Sequence, residues 1–243
     1  SADIRRASNL NALDQVEPAI VLLQGMAAEF SATPQPFVTL GDLLRRHERW
    51  DEAISSYTQA IKRVGAPTRR HWRMLYSRGI VLERAKRWPE AEKDFLQALE
   101  LEPDQPYVLN YLGYSWVDQG VNLKRALDMI HTAVRSRPND GYIIDSLGWV
   151  YYRLGNYKKA VLELERAVQI RPEDPIINDH LGDAYWRVSR ELEARFQWQR
   201  SLSLKPDAKL EANVRKKLEE GLPPTKPIGV PREAGSANDP DKT

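Results

Sequence analysis

Four histidines, His47, His71, His131 and His180, are the residues best suited to acid–base or metal chemistry near neutral pH. They lie far apart, and none has a second histidine or a cysteine at metal-ligand spacing. His180 has Asp179 and Asp183 nearby, a set able to hold a metal ion or pass a proton; the plainer reading is a polar residue on a helix surface or in a groove. The chain has no cysteine, which removes disulfides, thiolate zinc sites, iron–sulfur clusters and cysteine nucleophiles together. Acidic pairs such as Glu163/Glu165 and Glu219-Glu220 are interspersed with Lys and Arg, as on solvated helix faces. No phosphate-cradling glycine loop and no nucleophile elbow is present. The residues therefore point to no catalytic site, no metal and no cofactor. Arg69-Arg70-His71-Trp72-Arg73 sets basic groups beside an aromatic, as nucleic-acid or anionic-lipid sites do. Yet 36 basic residues stand against 34 acidic ones, a net of +2, so no broad positive field supports that reading. The cluster reads as an exposed helix start, and nucleic acid is not an expected partner.

The elements that would carry any site repeat along the chain. At 243 residues the length suggests between one and two domains of ~150 residues, and no apolar run approaches the ~18 residues that span a bilayer. Glycines recur at Gly41, Gly79, Gly113, Gly148 and Gly182, with gaps of 38, 34, 35 and 34. Alanines follow at Ala53, Ala91, Ala126, Ala160 and Ala194, then small residues at Ala60, Ala98, Ala133, Ala167 and Ser201. Prolines close the units at Pro103, Pro138, Pro172 and Pro206. Each unit predicts two helices. Ile143, Leu147, Val150, Tyr151 and Leu154 recur at helical spacing, Gly155-Asn156 marks a turn, and Ala160, Val161, Leu164, Ala167 and Val168 share a second helical face. The small residues let the two backbones approach, and the larger ones fill the gaps around them. The long gap before Gly79 implies an insertion near Gly65-Ala66-Pro67-Thr68, and the extra residue after Gly113 is expected in the Gly120-Val121-Asn122 turn.

Leu147-Gly148-x-x-Tyr151 with Ala160-x-x-x-Leu164-x-x-Ala167 and Pro172, and Leu181-Gly182-x-x-Tyr185 with Ala194-x-x-x-Trp198 and Pro206, resemble the tetratricopeptide repeat (TPR) family. The resemblance implies an all-α, right-handed α-solenoid of stacked helix-turn-helix units. The expected organisation is a degenerate first repeat over 1–35 and five units over 36–206, at about 36–70, 71–105, 106–140, 141–174 and 175–206. A capping helix follows over 207–221, with Leu210, Val214 and Leu218 as its apolar stripe, and a flexible Pro/Gly-rich tail over 222–243.

The resemblance also implies where a ligand would sit. In this family the first helices line a concave groove, and the family register places on it Arg73, Tyr76, Glu83 and Arg84, then Tyr107, Asn110, Tyr114, Val117 and Asp118, then Tyr142, Asp145, Trp149, Tyr152 and Arg153, then Ile176, Asp179, Asp183, Trp186 and Arg187. The candidate binding residues among them are Tyr76, Arg84, Tyr107, Asn110, Tyr114, Tyr142, Asp145, Trp149, Tyr152, Arg153, Asp179, Asp183, Trp186 and Arg187. Tyr, Trp and Arg dominate binding hot spots. Asn110 can pair with a peptide backbone, and Asp145, Asp179 and Asp183 would prefer a Lys or Arg on the ligand. Tyr151, Tyr185 and Trp116 stand at packing positions and are expected in the core. The clamp that holds chaperone C-termini is not matched, since its positions hold residues such as Thr39, Asp42, Ser77, Tyr111, Ser146 and His180. Leu109-Asn110-Tyr111-Leu112-Gly113-Tyr114-Ser115, the run Asp145–Arg153 and His180-Leu181-Gly182-Asp183 resemble a proteobacterial lineage of TPR lipoproteins. Its members act as periplasmic adaptors, some delivering substrates to carboxy-terminal processing proteases. That likeness implies a non-catalytic scaffold for a protein or extended peptide, with a periplasmic protease and its substrates as partners. It also implies outer-membrane anchoring through a lipidated cysteine upstream of Ser1. The alternatives are the repeat domain of a larger enzyme such as a glycosyltransferase, a self-associating structural scaffold, and a cytoplasmic location.

Overall fold

Three aspartates and two prolines start the helices that matter most. Asp140 and Asp174 each accept hydrogen bonds from two backbone N–H groups of the following turn, and Asp207 accepts one from Leu210. Such caps contribute ~1 kcal/mol each by satisfying donors that have no partner within the helix. Pro106 and Pro175 stand at first helical positions, where a missing N–H costs nothing.

The computed structural model describes residues 2–224 and is an all-α solenoid of helical hairpins, with thirteen α-helices and no strand among the described residues. The tail read over 222–243 lies outside the described residues from 225 onward. Contacts divide the chain at Val108/Leu109 into two compact units. In the first, α1 (Ala2–Ala12), α3 (Gln35–Arg46) and α5 (Trp72–Arg84) pair with α2 (Val16–Glu29), α4 (Trp50–Val64) and α6 (Trp88–Leu101). Helix α7 (Pro106–Gln119) starts at the boundary. In the second unit α7 packs on α8 (Leu123–Ser136), α9 (Gly141–Arg153) on α10 (Tyr157–Ile170) and α11 (Pro175–Arg187) on α12 (Glu191–Ser203); α13 (Ala208–Glu220) lies against α12.

The repeated glycines mark the closest approach in each hairpin. A Cβ on Gly41, Gly79, Gly113, Gly148 or Gly182 would stand within 2.9 Å of Tyr57, Phe95, Ile130, Leu164 or Trp198 respectively. Those five partners lie 16 or 17 residues further on and are all fully buried. A glycine inside a helix costs ~1 kcal/mol relative to alanine; here it makes room for the large residue opposite. Tyr151, Tyr185 and Trp116 are buried as expected.

Two irregularities fall near the expected places. After Val64 the chain leaves α4 through Gly65 (φ 71°), and a 3₁₀ turn, Arg69–His71, leads into α5. Arg69 of the basic cluster pairs there with Glu102. The extra residue after Gly113 corrects the expectation of a longer turn. It is absorbed into α7, which has 14 residues where α5, α9 and α11 have 13. The turn keeps three residues but changes shape. The other hairpins carry their left-handed residue in the middle, at Asp14, Glu48, Lys86, Gly155 and Ser189, whereas here Gly120 and Asn122 are left-handed on either side of Val121.

Candidate functional face of the second unit

Tyr142, Asp145, Trp149 and Tyr152 follow one another at offsets of three, four and three along α9, and Ile176, Asp179, Asp183 and Trp186 repeat the pattern on α11. Such spacing puts each set on one helical face. The caps Asp140 and Asp174 fix where each face begins.

Side chains on this face join one repeat to the next. Asn110 Nδ2 donates to Ser146 Oγ at 3.2 Å. Arg153 pairs with the Asp118 carboxylate and donates to its backbone carbonyl at 3.1 Å. His180 Nδ1 meets Asp145 at 2.9 Å, and Arg187 Nε donates to the Tyr152 hydroxyl at 3.2 Å. Lys217 Nζ, from α13, donates to both oxygens of Asp179 at 2.8 Å and to Asp183 at 2.9 Å. Trp149 stacks with Tyr152 at 4.7 Å and with His180 at 4.1 Å.

This network corrects the expectation that the acids are open to a ligand. Asp145, Asp179 and Asp183 are buried, and their cations are His180 and Lys217 of the same chain. Tyr152 is buried as well, and Arg153 and Arg187 are engaged between repeats. The physical reason is the period: one repeat on, at 34 or 35 residues, the equivalent place and its neighbour on the adjacent helix come within reach of a side chain. Tyr142 and Ile176 stay open, at 52% and 50% exposure. Asn110 and Tyr114 on α7, Trp149 on α9 and Trp186 on α11 are half-buried. Asn110 Oδ1 is buried with no hydrogen-bond partner. The Arg171 guanidinium lies 4.8 Å over the Tyr142 ring.

Three other expected residues fall in the first unit. Tyr76 is half-buried on α5 between Trp72 and Phe95, Arg84 is exposed beside Glu83, and Tyr107 is exposed at the start of α7. Burial pushes the Tyr76, Tyr114 and Tyr152 phenols up to about 12, so they stay neutral hydrogen-bonding groups. Among the described residues no group of three or more His, Cys, Asp or Glu is arranged to hold a metal ion, and no helix is long and apolar enough to cross a membrane.

Two residues take roles that their sequence positions do not announce. The sequence reads His180 as a polar surface or groove residue near Asp179 and Asp183; it is half-buried, pairs with Asp145 and stacks on Trp149. Lys217 was hidden among the charges of α13, although it lies 34 residues after Asp183. Burial opposes the His180 imidazolium, but Asp145, with Asp179 and Asp183 behind it, outweighs burial and raises its pKa above 6.5. Burial and the neighbouring Asp179 push Asp183 up to about 6, against Lys217 and His180. Burial likewise opposes the Lys217 ammonium, and the two aspartates outweigh it. The His180 contribution is complete below 6.5 and fades as pH rises through its higher folded value. Asp183 acts in the same direction, since ionising it in place is costly once pH passes from its ordinary 3.8 through about 6. The α11–α13 region is therefore expected to be more stable at pH 5.5 than at pH 8. Hydrogen exchange corrected for intrinsic rates checks this, and greater protection at pH 8 would contradict it.

Known proteins share the repeat pattern and the fold. Family models described as tetratricopeptide repeat and TPR repeat match residues 38–106 and 148–189. A TPR repeat-containing protein of Pseudomonas aeruginosa is 32% identical over 121 residues, half of this chain, and the match spans a fifth of that protein's length. A tetratricopeptide repeat protein from Parabacteroides merdae superposes with a TM-score of 0.74 at 16% identity, over 90% of this chain and 84% of its own. YrrB, described as a TPR protein with an unusual peptide-binding site, superposes with a TM-score of 0.56 at 18% identity, over 80% of this chain and 97% of its own. At these identities the solved structures show the fold alone.

Proposed function

We propose that this chain, a tetratricopeptide repeat protein, is a non-catalytic scaffold that binds an extended peptide or protein segment along the first-helix face of its second unit. The observation that carries the reading is the pair Tyr142 and Ile176. They are large apolar side chains exposed at equivalent repeat positions, with half-buried Trp149 and Trp186 on the same two helices and half-buried Tyr114 on α7. Aromatic groups of this kind give contact area with little entropy loss, and the half-buried Asn110 side chain lies on α7 of the same set of first helices. The finer part of the proposal is an adaptor role in a bacterial envelope complex, delivering substrates to a periplasmic protease. The runs across 107–206 that resemble periplasmic adaptors support it. An upstream lipidated cysteine would then anchor the protein at the outer membrane.

The test is selection of a random dodecapeptide library on the full chain. Selected peptides are expected to bind at least tenfold more weakly to the Tyr142→Ala/Ile176→Ala double variant. Both side chains are exposed, so the variant should keep its helicity. Peptides that bind it equally well would remove this face from the account.

A further inference from the structure

The cap helix α13 meets α11 of the face just described through a buried lysine. It buries only two of its thirteen residues, Val214 and Lys217, three positions apart on one side. Lys217 is 7% exposed, and its ammonium sits between the carboxylates of Asp179 and Asp183. One turn further on, Gly221 (φ 72°) lies so close to Trp186 that a Cβ there would stand 2.3 Å from the indole. The socket is built from α11: two buried aspartates and an aromatic wall, backed by Trp198 Nε1 donating to Asp183 at 2.9 Å. Its chemistry asks for one ammonium. Its fixed charge is acidic, with Asp145 adjoining through His180.

We infer that α13 is a tethered occupant of an acidic docking socket on α11, and that the socket's partner is a helix presenting an aliphatic residue followed three positions later by a lysine. This rests on the reading of the first-helix face as a peptide-binding surface and names the partner chemistry at its C-terminal end. Val214-x-x-Lys217 is the template. An incoming helix competes with α13, so the cap regulates access. Charge complementarity favours a cationic partner, because a helix that covers Asp179 and Asp183 again without a cation would bury two unpaired carboxylates.

The probe is a fluorescein-labelled peptide of residues 207–221, titrated into the full chain and followed by anisotropy. The Lys217→Ala chain, whose own cap is weakened, is expected to bind this peptide at least tenfold more tightly than the wild type. Adding Asp179→Asn and Asp183→Asn should abolish the gain, as should alanine in place of lysine at the peptide's own position 217. Gly221→Val gives a second receptor, in which a side chain forced against Trp186 loosens the cap while Lys217 remains. It should also bind more tightly than wild type, which keeps the test decisive if Lys217→Ala loses helicity. Equal binding by wild type and both receptors, or binding that ignores the peptide lysine, would overturn the inference. If selected dodecapeptides still bind the wild type while residues 207–221 do not bind either receptor, the inference fails and the scaffold reading stands. If neither binds, the scaffold reading fails.

Discussion

Replacing Lys217 by alanine is expected to weaken the docking of α13 by ~3–5 kcal/mol, the usual cost of removing one partner from a buried ion pair. The magnitude follows from burial. The Lys217 side chain is 8% exposed and its two aspartates 6% and 7%, so water cannot take over the lost interaction while α13 stays in place. The cap should therefore lift and let the carboxylates hydrate. Lys216 is the internal control. It is 70% exposed and pairs at 3.8 Å with Glu220, and its removal should cost ~0–1 kcal/mol. Amide exchange in residues 208–220 reads both. Similar protection in the two variants would mean that the buried charge cluster does not hold the cap.

Trp198→Ala is expected to cost ~3–5 kcal/mol, as large aromatic truncations in a core do. Trp198 is fully buried, fills the space that Gly182 leaves, and orients Asp183 through its Nε1 donor. The loss has two parts, a cavity between α11 and α12 and an acceptor on Asp183 without its donor. Trp198→Phe refills most of the cavity but not the hydrogen bond, so it should fall between the two. Phe196, two residues away and 64% exposed, should tolerate alanine within ~0.5 kcal/mol. Urea denaturation compares the three. A Trp198→Ala midpoint equal to that of Phe196→Ala would contradict the packing account.

How much of this was legible in the sequence depends on which spacing carries each feature. The glycine-to-partner distance of 16 residues marks the hairpins, because close approach of two helices admits only a glycine opposite Tyr57, Phe95, Leu164 or Trp198. The extra residue after Gly113 was legible but misplaced. A helix absorbs one more residue as readily as a turn does, and only the backbone shows that α7 took it and that Gly120 and Asn122 adjusted. The face was legible as a set of positions but not as a set of free groups. Asp145, Asp179 and Asp183 look available in one repeat, and become internal once the next first helix brings His180 or Lys217 across. Lys217 was the hardest to see. The cap helix lacks the repeat's small residues, so nothing but the 34-residue step to Asp183 ties it to the register. Tyr142 and Ile176 stayed open because their positions, at the helix starts, reach past the ladder of paired groups.

The most direct test of the account is hydrogen–deuterium exchange of the full chain with and without a selected dodecapeptide. New protection is expected on α7, α9 and α11 in the second unit, centred on residues 110–118, 142–153 and 176–187. Protection confined instead to α10 and α12, around the exposed Leu162, Leu192 and Phe196, would place the binding surface on the opposite helices and contradict it.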